Sequence, residues 1–169
     1  SYTFTVTNAS GCSSSATVAV PITDASSTTW NGIAWSNGAP DATKNVIIVS
    51  VTPNSPFTAD LSACALTINN SSGVVTIPSG ITLTITNGIT VATDYDLIFE
   101  NNASLVQINN VTNTGKIIYK RNSAPMKNFD YSYWSSPVAG QTLFNLSPNT
   151  LADKYMSYSG TGWQISYGG

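Results

Sequence analysis

The chain has 169 residues, of which 41% are hydrophobic and only 8% charged, and its formal net charge is -2. Soluble domains usually carry about 25% charged residues, so solubility here must come from hydroxyls and amides: Ser, Thr and Asn make up more than a third of the chain. With no dense Lys/Arg patch to neutralise a phosphate backbone, nucleic acid is not an expected partner, and no apolar run approaches the ~20 residues that a membrane-spanning helix needs.

Residues 1–22 read as a β-hairpin. Tyr2, Phe4 and Val6 alternate with Thr, Asn8-Ala-Ser-Gly11 turns the chain, and Ala16, Val18 and Val20 return. Two strands alone are marginal in water, so the hairpin is expected to be the last pair of an immunoglobulin-like sandwich. Residues 23–29, rich in Ser and Thr, follow as a linker. The chain opens and stops inside strand patterns, and it is expected to be a fragment of a larger polypeptide.

Trp30-Asn-Gly-Ile-Ala-Trp35 and Asn45-Val-Ile-Ile-Val-Ser50 open a module that runs over residues 30–120. From Leu66 onward, short runs in which apolar residues alternate with Thr are punctuated by Ser-Gly, Asn-Gly and Asn-Asn. Leu66/Ile68, Val75/Ile77, Leu83/Ile85, Ile89/Val91, Leu97/Phe99 and Leu105/Ile108 mark six short strands with one apolar face each. Strands two apart in that series recur about 14 to 17 residues later, roughly one coil of a β-solenoid. The fold expected is all-β, a short right-handed parallel β-helix. Asn87-Gly88 and Ser79-Gly80 are also hairpin signals, so an antiparallel β-sandwich is the competing arrangement. Asn69, Asn70, Asn87, Asn101, Asn102, Asn109 and Asn110 fall where the chain must turn, and Asn tolerates left-handed backbone and can bond the neighbouring coil. Trp30 and Trp35 would cover the open end of the solenoid. Their other role would be an exposed platform for a sugar ring.

Beyond residue 120 the pattern changes. Pro125, Pro137 and Pro148, with Tyr131, Tyr133, Trp134, Phe144, Tyr155, Tyr158 and Trp163, predict a second β unit over residues 121–169, built of irregular aromatic strands. Leu151-Ala-Asp-Lys-Tyr-Met156 is compatible with a helical turn or the start of a strand.

The chemistry available is thin. With no His, the chain lacks the usual general base, a serine nucleophile has no His partner, and a zinc site is close to excluded. No Gly-x-Ser-x-Gly and no phosphate-binding Gly loop is present, so catalysis is not expected. Asp94, Asp96 and Glu100 gather around one turn and could offer oxygen ligands to calcium, although the Gly-rich Asp repeat of calcium-binding solenoids is missing and a solvated corner is the simpler reading. Lys116, Lys120, Arg121 and Lys127 read as a solvated edge strand and turn. Tyr131, Tyr133 and Trp134 alternate imperfectly, so at least one should point outward, where it could stack on a sugar. Packing at a junction is the competing role. A disulfide between Cys12 and Cys64 is one arrangement; the preferred one has Cys64 as a buried free thiol and Cys12 as the partner of a cysteine upstream.

Two stretches carry a family resemblance. Tyr2-Thr-Phe-Thr-Val-Thr-Asn-Ala-Ser-Gly-Cys12 with Ala16-Thr-Val-Ala-Val20 resembles the end of the immunoglobulin-like repeats in very large surface adhesins of gliding Bacteroidota, in which that Cys pairs within its own repeat. Trp30-Asn-Gly-Ile-Ala-Trp-Ser-Asn-Gly-Ala-Pro40, then Asn102-Ala-Ser-Leu-Val-Gln107, Lys120-Arg-Asn122 and Tyr133-Trp-Ser-Ser-Pro-Val138 are similar, in order as well as content, to a module of proteins exported by the Bacteroidota type IX secretion system. The resemblance implies an extracellular, cell-surface location and a structural, adhesive role as a stiff stalk. It implies as partners surface glycans, other extracellular proteins and neighbouring domains of the same chain. A carbohydrate-binding accessory module of a secreted glycan-active enzyme and a subunit of an extracellular filament are the alternatives.

Overall fold

The computed structural model describes residues 2–11, 13–18, 26–127, 129–136 and 138–167. The chain separates into two compact units, Ser1–Asn122 and Ser123–Gly169.

The first unit opens with the expected hairpin. Strands β1 (Tyr2–Thr7) and β2 (Ser13–Val18) pair antiparallel, with Thr7 opposite Ser13. Asn8 closes the turn twice, its carbonyl accepting from Gly11 N–H (3.0 Å) and its side-chain oxygen from Ser10 N–H (3.0 Å). Cys12 and residues 19–25 lie outside the described residues, and with them the expected pairing of Cys12 and the first three residues of the expected linker; the rest of that stretch is not a linker, since Ser27, Thr28 and Thr29 already belong to the strand Ser27–Asn31.

The rest of the unit is a β-solenoid of about 4 turns. Its strands are β3 (Ser27–Asn31), β4 (Asn45–Ser50), β5 (Leu61–Ala63), β6 (Ala65–Ile68), β7 (Val75–Ile77), β8 (Thr82–Ile85), β9 (Ile89–Val91), β10 (Leu97–Phe99), β11 (Ser104–Gln107) and β12 (Ile118–Tyr119). They form three sheets, ordered β3-β4-β6-β9, β7-β10-β12 and β5-β8-β11, and every strand pair in them is parallel. The antiparallel alternative is therefore not the fold. Asn87-Gly88 and Ser79-Gly80 turn corners between faces instead of closing hairpins.

The coil is longer than the sequence spacing suggested. Leu66 sits on Ile89, Val75 on Leu97, and Leu83 on Leu105. Partners are thus strands three apart in the series, 22 or 23 residues on, because each coil has three faces and three corners where a two-strand repeat would have two.

Alternation fixes which side chains point in. Leu61, Leu83 and Leu105 form one inward file, Val46, Leu66 and Ile89 a second, and Ile48, Ile68 and Val91 a third. All but Leu105, which packs partly buried on the rest, belong to a single buried cluster with Val75, Ile77, Leu97 and Phe99. Side chains on one face at neighbouring strands lie about 4.8 Å apart, so each file is a continuous column of methyl groups along the axis.

Both ends of the solenoid are covered. At the first, Trp30 is buried on the edge strand β3, its ring 5.1 Å from that of Trp35, and its indole N–H donates to Asn54 O (3.0 Å). Ser36 N–H donates to Thr29 O (2.9 Å), which occupies the free edge of β3. The Trp pair thus packs as a cap. At the last coil, Arg121 lies 3.9 Å over the Tyr119 ring and its guanidinium donates to Ala103 O and to Glu100 O. Tyr119 in turn stacks on buried Phe99 (5.4 Å).

The second unit is irregular. It holds one short helix, α1 (Leu143–Leu146), capped by Thr142 Oγ1 accepting from Asn145 N–H, a 3-10 turn (Ala152–Lys154), and an antiparallel hairpin of β13 (Met156–Tyr158) and β14 (Trp163–Ile165). The stretch 151–156 is a helical turn that runs into a strand. Of the irregular aromatic strands expected over residues 121–169, the β13–β14 hairpin is what forms among the described residues, because Pro125 and the scattered small polar residues give no sustained alternation before it. Tyr155 alone of the described residues in this unit is buried, its hydroxyl donating to Ser147 O (2.6 Å).

Candidate functional site

The acidic trio does not converge. Asp94 pairs with Lys116 (2.8 Å) and Glu100 with Lys120 (2.7 Å), and no group of three metal-ligating side chains occurs among the described residues. Asp94 and Asp96 precede β10 and Glu100 follows it, so the strand carries them to two different corners. Each corner then supplies a cation from the next coil. The Asp94 carboxylate holds the Lys116 ammonium above its ordinary pKa by hydrogen bond and by charge. These are exposed pairs, worth little to stability. Lys116 and Lys120 thus flank β12, the edge strand of its sheet, and are solvent-exposed as expected, while paired with Asp94 and Glu100.

Charge in the coils is concentrated in one place. Between Leu61 and Asn122 the charged residues are Asp94, Asp96, Glu100, Lys116, Lys120 and Arg121, all of them flanking β10 or β12. The sheet β5-β8-β11 turns outward only Ser62, Thr84 and Val106 in one rank and Thr82 and Ser104 in the next. On β3-β4-β6-β9 the outward rank runs Thr29, Ile47, Thr67 and Thr90, continued by the bridge from Thr90 to Thr114. Two of the three faces are thus uncharged beyond Leu61, and they repeat hydroxyl and methyl groups at the strand spacing.

A corner between those two faces carries a polar ladder. Asn109 Nδ2 donates to Asn87 Oδ1 (2.9 Å), and Asn87 Nδ2 donates to Cys64 Sγ (3.2 Å). Cys64 is a free thiol, half-buried where the sequence suggested full burial, because it sits at a corner and not in an inward file. Among the other corner asparagines, Asn102 adopts φ 66, and Asn101 Oδ1 accepts from Asn122 N–H (2.9 Å).

The aromatic candidates are only partly united. Tyr131, Tyr133 and Trp134 are all exposed, but of the three only Tyr133 takes part in a ring cluster, 5.6 Å from Trp163. Trp163 also lies 5.3 Å from Tyr158, its direct partner across β13 and β14. Sequence reading missed Tyr158 and Trp163 as surface groups. Their signal was the stretch Tyr158-Ser-Gly-Thr-Gly-Trp163, a Gly-containing turn between two aromatic residues, which places them opposite one another.

A shallow depression of about 190 Å³ at the first end of the solenoid is lined by residues including Trp35, Pro40, Pro56 and Asp60. Its carboxylate is already engaged, since Asp60 Oδ1 accepts from Thr82 N–H (2.8 Å).

Residues 22–168 match the family described as Domain of unknown function (DUF8693). The chain belongs to this family. No curated protein and no solved structure matches it. The DUF8693 match takes in all the solenoid strands, the polar corner and the aromatic hairpin. Among the described residues, no helix of this DUF8693 chain is long and apolar enough to cross a membrane.

Proposed function

We propose that the chain is a non-catalytic structural and adhesive segment of a large secreted cell-surface protein, of the kind exported by the type IX system of Bacteroidota, and that it serves as a stiff stalk with an adhesion surface. The observation that carries this reading is the division of the solenoid exterior. One face holds the charges, while two repeat hydroxyl and methyl groups with none beyond Leu61. Parallel ladders run hydrogen bonds along the axis, which resists bending and extension. A long uncharged face makes many weak contacts with neutral extracellular surfaces, and tethering converts these into avidity. Its partners in this reading are surface glycans or extracellular proteins.

Beads coated with the full chain, flowed over glass that carries neutral polysaccharide or glycoprotein, test the proposal. Attachment should rise steeply with coating density and fall when Ser62 and Thr84 are both replaced by Lys. No attachment at any density would remove the adhesive role.

A further inference from the structure

Resting on the adhesive reading, we propose that Trp163, with Tyr133 and Tyr158 on either side, forms a stacking site for a neutral pyranose of a polysaccharide chain. Tyr158 and Trp163 are set side by side by the register of β13 and β14, and Tyr133 adds a third ring from a separate segment of the same unit. The centroid separations of 5.6 and 5.3 Å and tilts of 48° and 55° make one contiguous aromatic surface. Exposure decides its role, for Tyr133 is 80%, Tyr158 59% and Trp163 51% accessible. These rings touch one another but build no core.

Charge selects the occupant. From Tyr155 to Tyr167 there is no charged residue, and the charged residues of the unit are Lys127, Asp130, Asp153 and Lys154. Asp153 and Lys154 neutralise each other at 2.8 Å, and Asp130 Oδ2 accepts from Lys127 N–H. The hairpin itself thus offers no cation to an anionic partner and no carboxylate to a cationic one, since the Lys127 ammonium and the Asp130 carboxylate lie outside it. A pyranose matches what remains, because its C–H face stacks on an indole and its rim of hydroxyls needs polar neighbours. Such neighbours are present. The Tyr133 hydroxyl makes no hydrogen bond among the described residues, and the Tyr158 hydroxyl is aimed by Gly160 O (3.2 Å). The turn between the strands is held by Ser159 N–H donating to Gly162 O (3.0 Å) and by the Ser159 and Thr161 hydroxyls 3.2 Å apart, so the rings are presented on a braced hairpin.

The test is calorimetric titration of the full chain with hexaoses of a β-1,4-glucan, a β-1,4-mannan and an α-1,4-glucan, together with tryptophan fluorescence. At least one hexaose should bind and perturb the emission. Trp163→Ala should weaken that binding by about tenfold or more, Trp163→Phe less, and Trp134→Ala not at all. The thermal unfolding profile of Trp163→Phe serves as the check on folding. Unchanged affinity in both Trp163 variants overturns the proposal, as does failure of all three hexaoses to bind. Self-association of the chain that Trp163→Ala abolishes overturns it in favour of a second copy as the occupant. Bead attachment without hexaose binding removes this site and leaves the adhesive reading standing, whereas hexaose binding without bead attachment does the reverse.

Discussion

Asn87 bridges three coils with one amide. Its Nδ2 donates to Cys64 in the coil before and its Oδ1 accepts from Asn109 in the coil after, at 3.2 and 2.9 Å. A neutral hydrogen bond is worth about 1 kcal/mol net, and a partner left unpaired adds its own penalty. Asn87→Ala is therefore expected to lower stability by about 1–2 kcal/mol, and Asn109→Ala, at the exposed end of the ladder, by less. Urea unfolding of the two variants checks the order. Gly115 is constrained in another way. It sits at φ 81, and a Cβ there would fall 2.2 Å from Val91 O. Gly115→Ala forces both a left-handed backbone on an L side chain and a backbone clash, so it should cost about 2 kcal/mol or more. The loss should be concentrated in the last coil, seen as faster amide exchange at Thr114 and at Val91, whose N–H donates to Thr114 O (2.9 Å).

At the scale of the strand, inward and outward neighbours differ sharply in cost. Leu83 is fully buried between Leu61 and Leu105, while Thr84 beside it faces out. Leu83→Ala opens a gap in a column that neighbouring backbones cannot close, at about 2–5 kcal/mol. Thr84→Ala should stay within about 0.5 kcal/mol. Denaturant midpoints of the pair would expose a wrong assignment of faces, since a one-residue slip reverses the order. The same alternation made the strands legible in the sequence: five of the six apolar pairs read from Leu66 onward point in, whereas of the sixth only Leu105 lies on its strand and Ile108 falls past the end of β11 and is exposed. The coil length was not legible from alternation alone, because period-2 patterning says which face is apolar and nothing about how many faces close a turn. The missing cue was the separation of equivalent residues, such as Leu61, Leu83 and Leu105 or Asn87 and Asn109, each 22 apart. In the aromatic unit, Tyr131, Tyr133 and Trp134 were chosen by proximity in sequence. The cluster that forms joins Tyr133 to a hairpin 25 to 30 residues away, in which register sets Tyr158 opposite Trp163 while packing across the unit brings Tyr133 to them.

For the whole chain, the scarcity of charge sets how stability responds to pH and salt. There is no His, and no other side chain has an ordinary pKa between about 5 and 8. Asp41 is held below the carboxylate value of 3.8 by the Thr43 hydroxyl, then by Thr43 N–H and Lys44, and Asp153 is held down by its bond to Lys154. A lowered carboxyl contributes stability that is full above its ordinary value and fades as pH falls through the lowered one. Lys116 and Lys154 are raised above 10.5 by Asp94 and Asp153, so their contributions are full below that value and fade as pH rises through the raised ones. Both windows lie outside the neutral range. The Lys116–Asp94, Lys120–Glu100 and Lys154–Asp153 pairs are solvent-exposed at 2.7–2.8 Å, where screening leaves them little to lose. The thermal midpoint is therefore expected to be flat from about pH 5 to about pH 8, to decline only toward the acid and alkaline extremes, and to move little between low salt and about 1 M NaCl. A steep step inside the flat range would reveal a proton-linked group that the sequence does not supply. A strong salt dependence would mean that charge contributes far more to the stability of this protein than its hydroxyl-rich coils require.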